Sequence, residues 1–350
     1  MTGDDPEGIR NARRRFFDRG QLPADQLNHA ILRSWMRCAE TGLDPHAAPT
    51  IEPLTSGELK DAMARHDRLR RLARPELDAL NQEARETGAV VLLTTAEGLV
   101  LDTVGDAGFA GRAAEVALQP GAAWSEASAG TNAIGTALAE RRAVSVHGDE
   151  HFFEAHQGLS CATAPILDPR GVAVGALDLS CPASLRPVHA LGLVRLAAEQ
   201  IERRLFEDSI GAFTVLRLHS DPALLDSERA GALLFDGERL VGANRRGLSL
   251  VSRGWESLDA VRFEDLFAAE LDRLPDRVEI VGHDGSRLQA RVQRPGEPAS
   301  ASPAPAATLE EAETQAIRAA LAAAGGNVSK AARQLGVHRS TLYRRFLGER

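Results

Sequence analysis

The chain has 350 residues, 43% of them apolar, and a formal net charge of −8, which is enough apolar material for two or three separate cores. No run approaches the roughly 18 apolar residues of a membrane span, and the start, MTGDDPEGIRNARRR, lacks an apolar signal segment. Three widely spaced cysteines, Cys38, Cys161 and Cys181, suit a reducing cytoplasm better than a disulfide framework.

Residues 24–41 predict a helix with Leu27, Ile31, Trp35 and Cys38 on one stripe, ended by Gly42 and Pro45. Residues 57–87 are helix-rich and highly charged, with Pro75 as the expected break. From Gly88 the pattern changes. AVVLLTT (89–95) is a continuous apolar strand, and LVLDTVG (99–105) is its hairpin partner across the AEG turn. A helical patch, TNAIGTALAERR (131–142), precedes the strand AVSVHG (143–148). The strands LSCATAPILD (159–168) and GVAVGALDLS (171–180) then follow, joined through Pro169-Arg170-Gly171. Residues 185–207 form a long helix with Val188, Leu191, Val194, Ala198, Ile201 and Leu205 in phase. Antiparallel strands surrounded by helices make an α+β domain.

Further on, GALLFD (231–236), GERLVGANRRG (237–247), FEDLF (263–267), RVEIV and RLQARVQ suggest a second small domain. PGEPASASPAPAA (295–307) is a semi-stiff linker with a reach of about 40 Å in extended polyproline form. Thr308-Leu309-Glu310-Glu311 is a capping box opening a helix with Leu309, Ile317 and Leu321 on its buried side. Residues 325–346, GGNVSKAARQLGVHRSTLYRRF, read as two short helices around a tight turn. Asn327 caps the first, Gly336 lies just past its end, and Leu342 and Phe346 point the second inward. Arg339, Ser340, Thr341, Arg344 and Arg345 then face out, donors suited to phosphates and guanine edges, with Asn327 and Lys330 beside them. From 325 to 350 six basic residues meet a single acid, Glu349, although the whole chain is acidic. A basic tip on an acidic body is the footprint of a chain that docks on DNA with one end.

The run GN-xxx-AA-xx-LGV-x-R-x-TLYR, Gly326 to Arg344, resembles the Fis-type helix-turn-helix. WSEASAGTNAIGTAL (124–138), HGDEHFF (147–153), LSCATAPILDPRG (159–171) and GALDLS (175–180) resemble the GAF domain of bacterial regulators of the acetoin and dihydroxyacetone type. ILRSWMRCAETGLDP (31–45) is similar to the leader segment of that group, and residues 211–294 resemble a small PAS domain. These readings divide a multidomain α+β chain into a helical leader (1–87), a GAF-like sensory domain (88–208), a PAS-like domain (209–294), a linker (295–307) and an all-α reader (308–350). The resemblance implies a cytoplasmic transcription regulator that works as a homodimer on paired half-sites of double-stranded DNA about 34 Å apart. It implies a small-molecule effector and RNA polymerase as further partners, with no membrane and no cofactor.

Many proteins sharing both ends carry an ATPase that remodels polymerase bound to an alternative sigma factor. That engine needs a lysine in a phosphate-binding loop. Lys60 and Lys330 are the only lysines, and neither sits in one. GAFTVL (211–216) is similar to the start of the polymerase-contacting loop of such ATPases, but stands without an ATPase around it. Metal or redox chemistry would draw on His147, Glu150, His151, His156 and Cys161, which lack a tight ligand spacing. A Cys161–histidine dyad is conceivable, but Cys161 lies in an apolar strand where thiols are normally inert. No catalytic and no metal residue is therefore expected. A polar effector remains, lined by Trp124 and Phe152. The resemblance implies that Glu126, Asn132, Glu150, His151 and Asp178 orient it, with Cys161 nearby. Asn132 is equally placed to cap the helix 131–141, and Glu126 to satisfy backbone donors. The competing reading is a redox- or metal-sensing module whose terminal helices bind protein rather than DNA.

Overall fold

A computed structural model describes residues 6–84, 88–105, 117–185 and 189–297. The linker's last residues and the helix-turn-helix, including Asn327, Lys330, Arg339, Ser340, Thr341, Arg344 and Arg345, lie outside them.

The first sheet runs β2-β1-β5-β4-β3, antiparallel throughout, from β1 (Val90–Thr95), β2 (Val100–Gly105), β3 (Val144–His147), β4 (Leu159–Leu167) and β5 (Ala173–Pro182). Strands β1 and β4 are buried along their whole length, so both faces of the sheet are covered. This explains why the sequence shows continuous apolar runs there rather than alternation. Alternate residues separate two cores. Val91, Leu93, Ala162, Ala164, Leu177 and Leu179 pack beneath α4 (Asp67–Ala84) and α7 (Ala190–Glu207). Val90, Leu92, Val144, Val146 and Cys161 face the other way. Their cover is α1 (Pro6–Arg13), α2 (His29–Glu40) and the segments carrying α5 (Glu126–Ala129) and α6 (Ala133–Glu140). The leader helices thus supply one cover to each face.

Two local expectations needed correction. The helix predicted at 24–41 begins at His29, because Asn28 accepts the Ala30 amide at 2.9 Å and starts the helix there. Pro75 does not break the second helical stretch. The break falls at His66, between α3 (Ser56–Arg65) and α4, and Pro75 sits inside α4. An interior proline costs a helix roughly 3 kcal/mol. Here Leu69, Ala73, Leu77, Leu80 and Ala84 bury one face of α4 and hold it.

The second sheet runs β8-β7-β6-β10-β9, from β6 (Thr214–His219), β7 (Gly231–Asp236), β8 (Arg239–Ala243), β9 (Arg277–Val281) and β10 (Arg287–Gln293), with α8 (Arg245–Leu250) after β8. Strand β6, at its centre, was not predicted. The second half of GAFTVL, from Thr214, is the start of that strand. One face of the sheet packs on Phe263 and Phe267, and the other on Phe206 and Ile210 from the end of α7. Two antiparallel sheets with flanking helices give the expected α+β class.

Candidate functional site

The register of β4 and β5 places Cys161 opposite Ser180 and Thr163 opposite Asp178, so four polar side chains share the middle of an otherwise apolar face. Thr163 Oγ1 donates to Asp178 Oδ1 at 2.5 Å. Ser180 Oγ lies 2.6 Å from Asp178 Oδ2 and 3.0 Å from Cys161 Sγ. All four are buried. Above them the loop after β3 brings in His151, whose Nδ1–H donates to the Gly148 carbonyl at 3.0 Å. Its Nε2 is then the acceptor, and it faces Cys161 Sγ at 3.7 Å. The hydrogen-bond chain therefore runs Thr163–Asp178–Ser180–Cys161–His151.

His156 completes the roof. Its ring lies 4.7 Å from Trp124, tilted by 32°, and 5.9 Å edge-on to Phe153. Both ring nitrogens are buried and neither makes a hydrogen bond of full geometry, although the Ala129 backbone lies near enough to favour the protonated ring. Phe152 is fully buried beside Phe153 and Phe17.

The leader pins this loop. Arg13 reaches over from α1 and donates to the carbonyls of His151 at 2.6 Å and Phe152 at 2.7 Å, with its guanidinium 4.8 Å above the Phe17 ring. Trp35 Nε1 donates to the Glu150 carbonyl at 2.8 Å. Sequence reasoning placed Trp35 on a buried stripe but gave it no site role, and it missed Arg13, one arginine in a run of three.

Of the sequence-predicted residues, His151, Cys161 and Asp178 share the hydrogen-bonded chain, Trp124 packs on His156, and Phe152 packs on Phe17 and Phe153. The others are engaged in holding the fold. Glu126 is gripped by the Arg37 guanidinium, with both hydrogen bonds at 2.7 Å, and by Ser34 Oγ at 2.6 Å. Asn132 caps α6, accepting the Gly135 amide at 2.8 Å and donating to Gly130 O at 2.8 Å. The Glu150 carboxylate accepts the His147 amide at 2.8 Å. Thr163, Ser180 and His156 were not in the predicted effector-binding set. The signal for Thr163 and Ser180 was available in the strands, because Cys161/Thr163 and Asp178/Ser180 each stand two apart and so share a face.

Burial sets the electrostatics. Desolvation lowers the His151 pKa to about 3, helped by the positive charge His156 would carry. It lowers His156 to about 4, offset only in part by the Ala129 backbone. Desolvation, with the Asp178 charge adding, pushes the Cys161 thiol well up. It raises Asp178 to about 6, against the pull of the Ser180 and Thr163 hydroxyls. Cys161 and His151 are thus a neutral thiol beside a neutral imidazole, not the thiolate–imidazolium pair of an activated nucleophile. Among the described residues, no three His, Cys, Asp or Glu side chains gather as a metal site.

Comparison with known proteins places this architecture among bacterial regulators. Residues 5–203 match the family "MimR, N-terminal domain", and residues 308–346 match "Bacterial regulatory protein, Fis family". The chain belongs to the MimR N-terminal-domain family and carries a Fis-family helix-turn-helix. It is 34% identical over 264 residues to the acetoin catabolism regulatory protein of Cupriavidus necator, covering 69% of this chain and 40% of that protein. It is 34% identical over 208 residues to the propane 2-monooxygenase operon transcriptional activator MimR of Mycolicibacterium smegmatis, covering 58% of this chain and 34% of that one. The chain thus spans well under half the length of these relatives. The fold is similar to the Escherichia coli DhaR(N)–DhaL complex, with a TM-score of 0.50 and 14% identity over 76% of this chain and 99% of that chain.

Proposed function

We propose that this chain is a cytoplasmic, non-enzymatic transcription regulator in which the N-terminal module senses a small effector and controls a Fis-type DNA reader. The observation that carries the reading is the occurrence of a MimR N-terminal domain and a Fis-family reader on one chain. Between them, residues 204–307 hold the PAS-like sheet and the linker, and neither lysine lies in a phosphate-binding loop. Regulation would then act through DNA occupancy rather than through ATP-driven remodelling of a sigma-54 polymerase. The reader works as a homodimer on paired half-sites, through Arg339, Ser340, Thr341, Arg344 and Arg345 with Asn327 and Lys330.

The effector pocket we assign lies between the β4–β5 polar face and the 147–156 loop. His151, His156, Cys161 and Asp178 offer hydrogen bonds there, and Trp124 and Phe152 form the walls. The His156 ring supports this placement, since neither of its buried nitrogens makes a hydrogen bond of full geometry and a ligand that supplies one stabilises it. Regulators of acetoin catabolism and of a propane 2-monooxygenase operon among the relatives point to a small catabolic molecule as effector.

The decisive experiment is a gel shift on the gene's own upstream DNA with an unrelated duplex as competitor. Specific binding is expected, and Arg339→Ala or Arg344→Ala should abolish it. Removing a side chain that neutralises one phosphate should also flatten the salt dependence by about one unit of log–log slope. Specific binding that survives both substitutions would show that the recognition helix is misassigned.

A further inference from the structure

The leader segment that pins the 147–156 loop is itself weakly held. Helix α1 buries only Ile9, Ala12 and Arg13, and the π-helical turn after it, Arg14–Asp18, buries no residue. A helix this short does not persist in water unaided, so docking alone keeps it in place. Residues 19–28, which join it to α2, are exposed except at Pro23, Gln26 and Leu27.

Two features make the docking marginal. Arg13 is 8% exposed, and among the described residues its hydrogen bonds go to backbone carbonyls alone: Asp149 at 3.5 Å, His151 at 2.6 Å and Phe152 at 2.7 Å. Burial lowers the guanidinium pKa in spite of the Glu154, Asp149 and Asp18 charges nearby, so the buried cation is incompletely compensated. Nor does α1 close fully on the loop. A crevice of about 220 Å³ separates Pro6, Ile9 and Arg10 from His147, Asp149 and Gln157, and walls without partner atoms forfeit packing energy. Segments with few buried contacts are the first to open locally.

We propose that residues 6–18 are a lid over the 147–153 loop, hinged at 19–28, whose undocking frees that loop and opens a path to His151 and Cys161 on the β4–β5 face. On opening, Arg13 leaves the His151 and Phe152 carbonyls, and Phe17 leaves the Phe152 ring, which it meets edge-on at 5.1 Å. A molecule bound beneath the loop then shifts the lid by its preference for the closed or the open form. The lid rests on the effector reading only for what passes it, and its opening is measured without an effector.

The test treats the full, native chain with iodoacetamide at about pH 8.5, near the pKa of a free thiol, and follows labelling of Cys161 and Cys181 by peptide mass spectrometry. The two thiols lie on paired strands and face opposite sides of the sheet, so Cys181 reports exposure that does not involve the lid. Arg13→Ala should speed Cys161 labelling about tenfold or more, as expected for losing hydrogen bonds from a charged group, and leave Cys181 unchanged. Arg10 is mostly exposed and reaches Asp149 at 3.9 Å. Arg10→Ala therefore keeps the fold and should speed Cys161 alone, by about twofold. It decides the matter if Arg13→Ala fails to fold. The proposal is overturned if Cys161 labelling is unchanged in these variants, or if Cys161 and Cys181 accelerate together, since access then follows unfolding of the sheet. A lid that opens while no small molecule binds beneath it would sink the effector pocket and leave the lid standing.

Discussion

Thr163 and Asp178 face each other across the β4–β5 pair, hydroxyl to carboxylate at 2.5 Å, and neither has any solvent exposure. Burial lifts the Asp178 pKa from 3.8 to about 6. Between those values the folded chain holds a proton that the unfolded chain releases, so this group's contribution to stability falls as pH rises and is fully unfavourable above about pH 6. The full penalty is on the order of 3 kcal/mol. Asp178→Asn removes the titration and keeps one acceptor and one donor for its neighbours. The variant should be more stable than the parent in urea at pH 7.5, with the advantage gone near pH 4. Equal stability at pH 7.5 would mean that the carboxylate is compensated by something else.

The two buried imidazoles act in the opposite sense. Their folded pKa values, about 3 for His151 and about 4 for His156, lie below the usual 6.5. Their contribution is intact above pH 6.5 and is lost as pH falls toward those values, because the unfolded chain takes up protons first. Two groups outweigh the single carboxylate, so net acid destabilisation should begin near pH 6. His156→Phe keeps an aromatic ring against Trp124 and removes buried nitrogens that lack a full hydrogen bond, a defect that typically costs about 1–3 kcal/mol. It should raise the melting temperature at pH 7.5 and shallow the loss between pH 6.5 and 4.5. A lower melting temperature at both pH values would show that the nitrogens are satisfied after all. Effector response, once a ligand is in hand, should be lost in the same variant.

Arg37 joins α2 to the covering segments by gripping Glu126 and Glu140, the latter at 2.9 Å. Hydrogen bonds from Arg33 and then Arg37, against desolvation, hold the Glu140 carboxyl down at about 2. Arg37 is itself 37% exposed, so screening limits the pair's worth. Arg37→Ala leaves Glu126 mostly buried without its cation, and should cost about 1–2 kcal/mol by urea unfolding. Arg37→Lys should recover little of that, since it cannot fork across two carboxylates. Full recovery by lysine would reduce the interaction to simple charge.

The sequence carried the strands of the first sheet and the α6 cap at Asn132 clearly, because periodicity and capping are local signals. It did not carry Arg13 or Trp35 as site residues, because their partners are backbone carbonyls more than a hundred positions away. Nor could it separate Glu126 from Asp178. Both are acids within matching motifs, and only the position of Arg37 shows that one is tied into an ion pair while the other is buried among hydroxyls. Pro75 misled for a related reason: a strong local breaker was overridden by burial of its helix against the sheet. Strand β6 escaped notice because TVLRLH is short and mixed, and it becomes a strand by lying between β7 and β10.

The joint between the domains offers a last test. Gly171, at the tip of the β4–β5 turn, has φ +73°, and a Cβ added there would fall within the Trp255 indole of the second domain. Beside it the Pro169 carbonyl accepts the Ala243 amide at 2.8 Å, and Arg170 donates to Asp259. Alanine at 171 meets both a left-handed backbone penalty of about 1 kcal/mol and a collision that only separation of the domains relieves. Gly171→Ala should therefore speed hydrogen exchange at the Ala243 amide about tenfold, while amides of β1 and β5 deep in the first sheet stay protected. Adding Trp255→Ala removes the obstructing ring, so the double variant should recover much of the Ala243 protection while keeping the backbone penalty. If exchange at Ala243 is unchanged in Gly171→Ala, the turn and the indole do not hold the domains together, and the carbonyl–amide bond at Pro169 is a passive link.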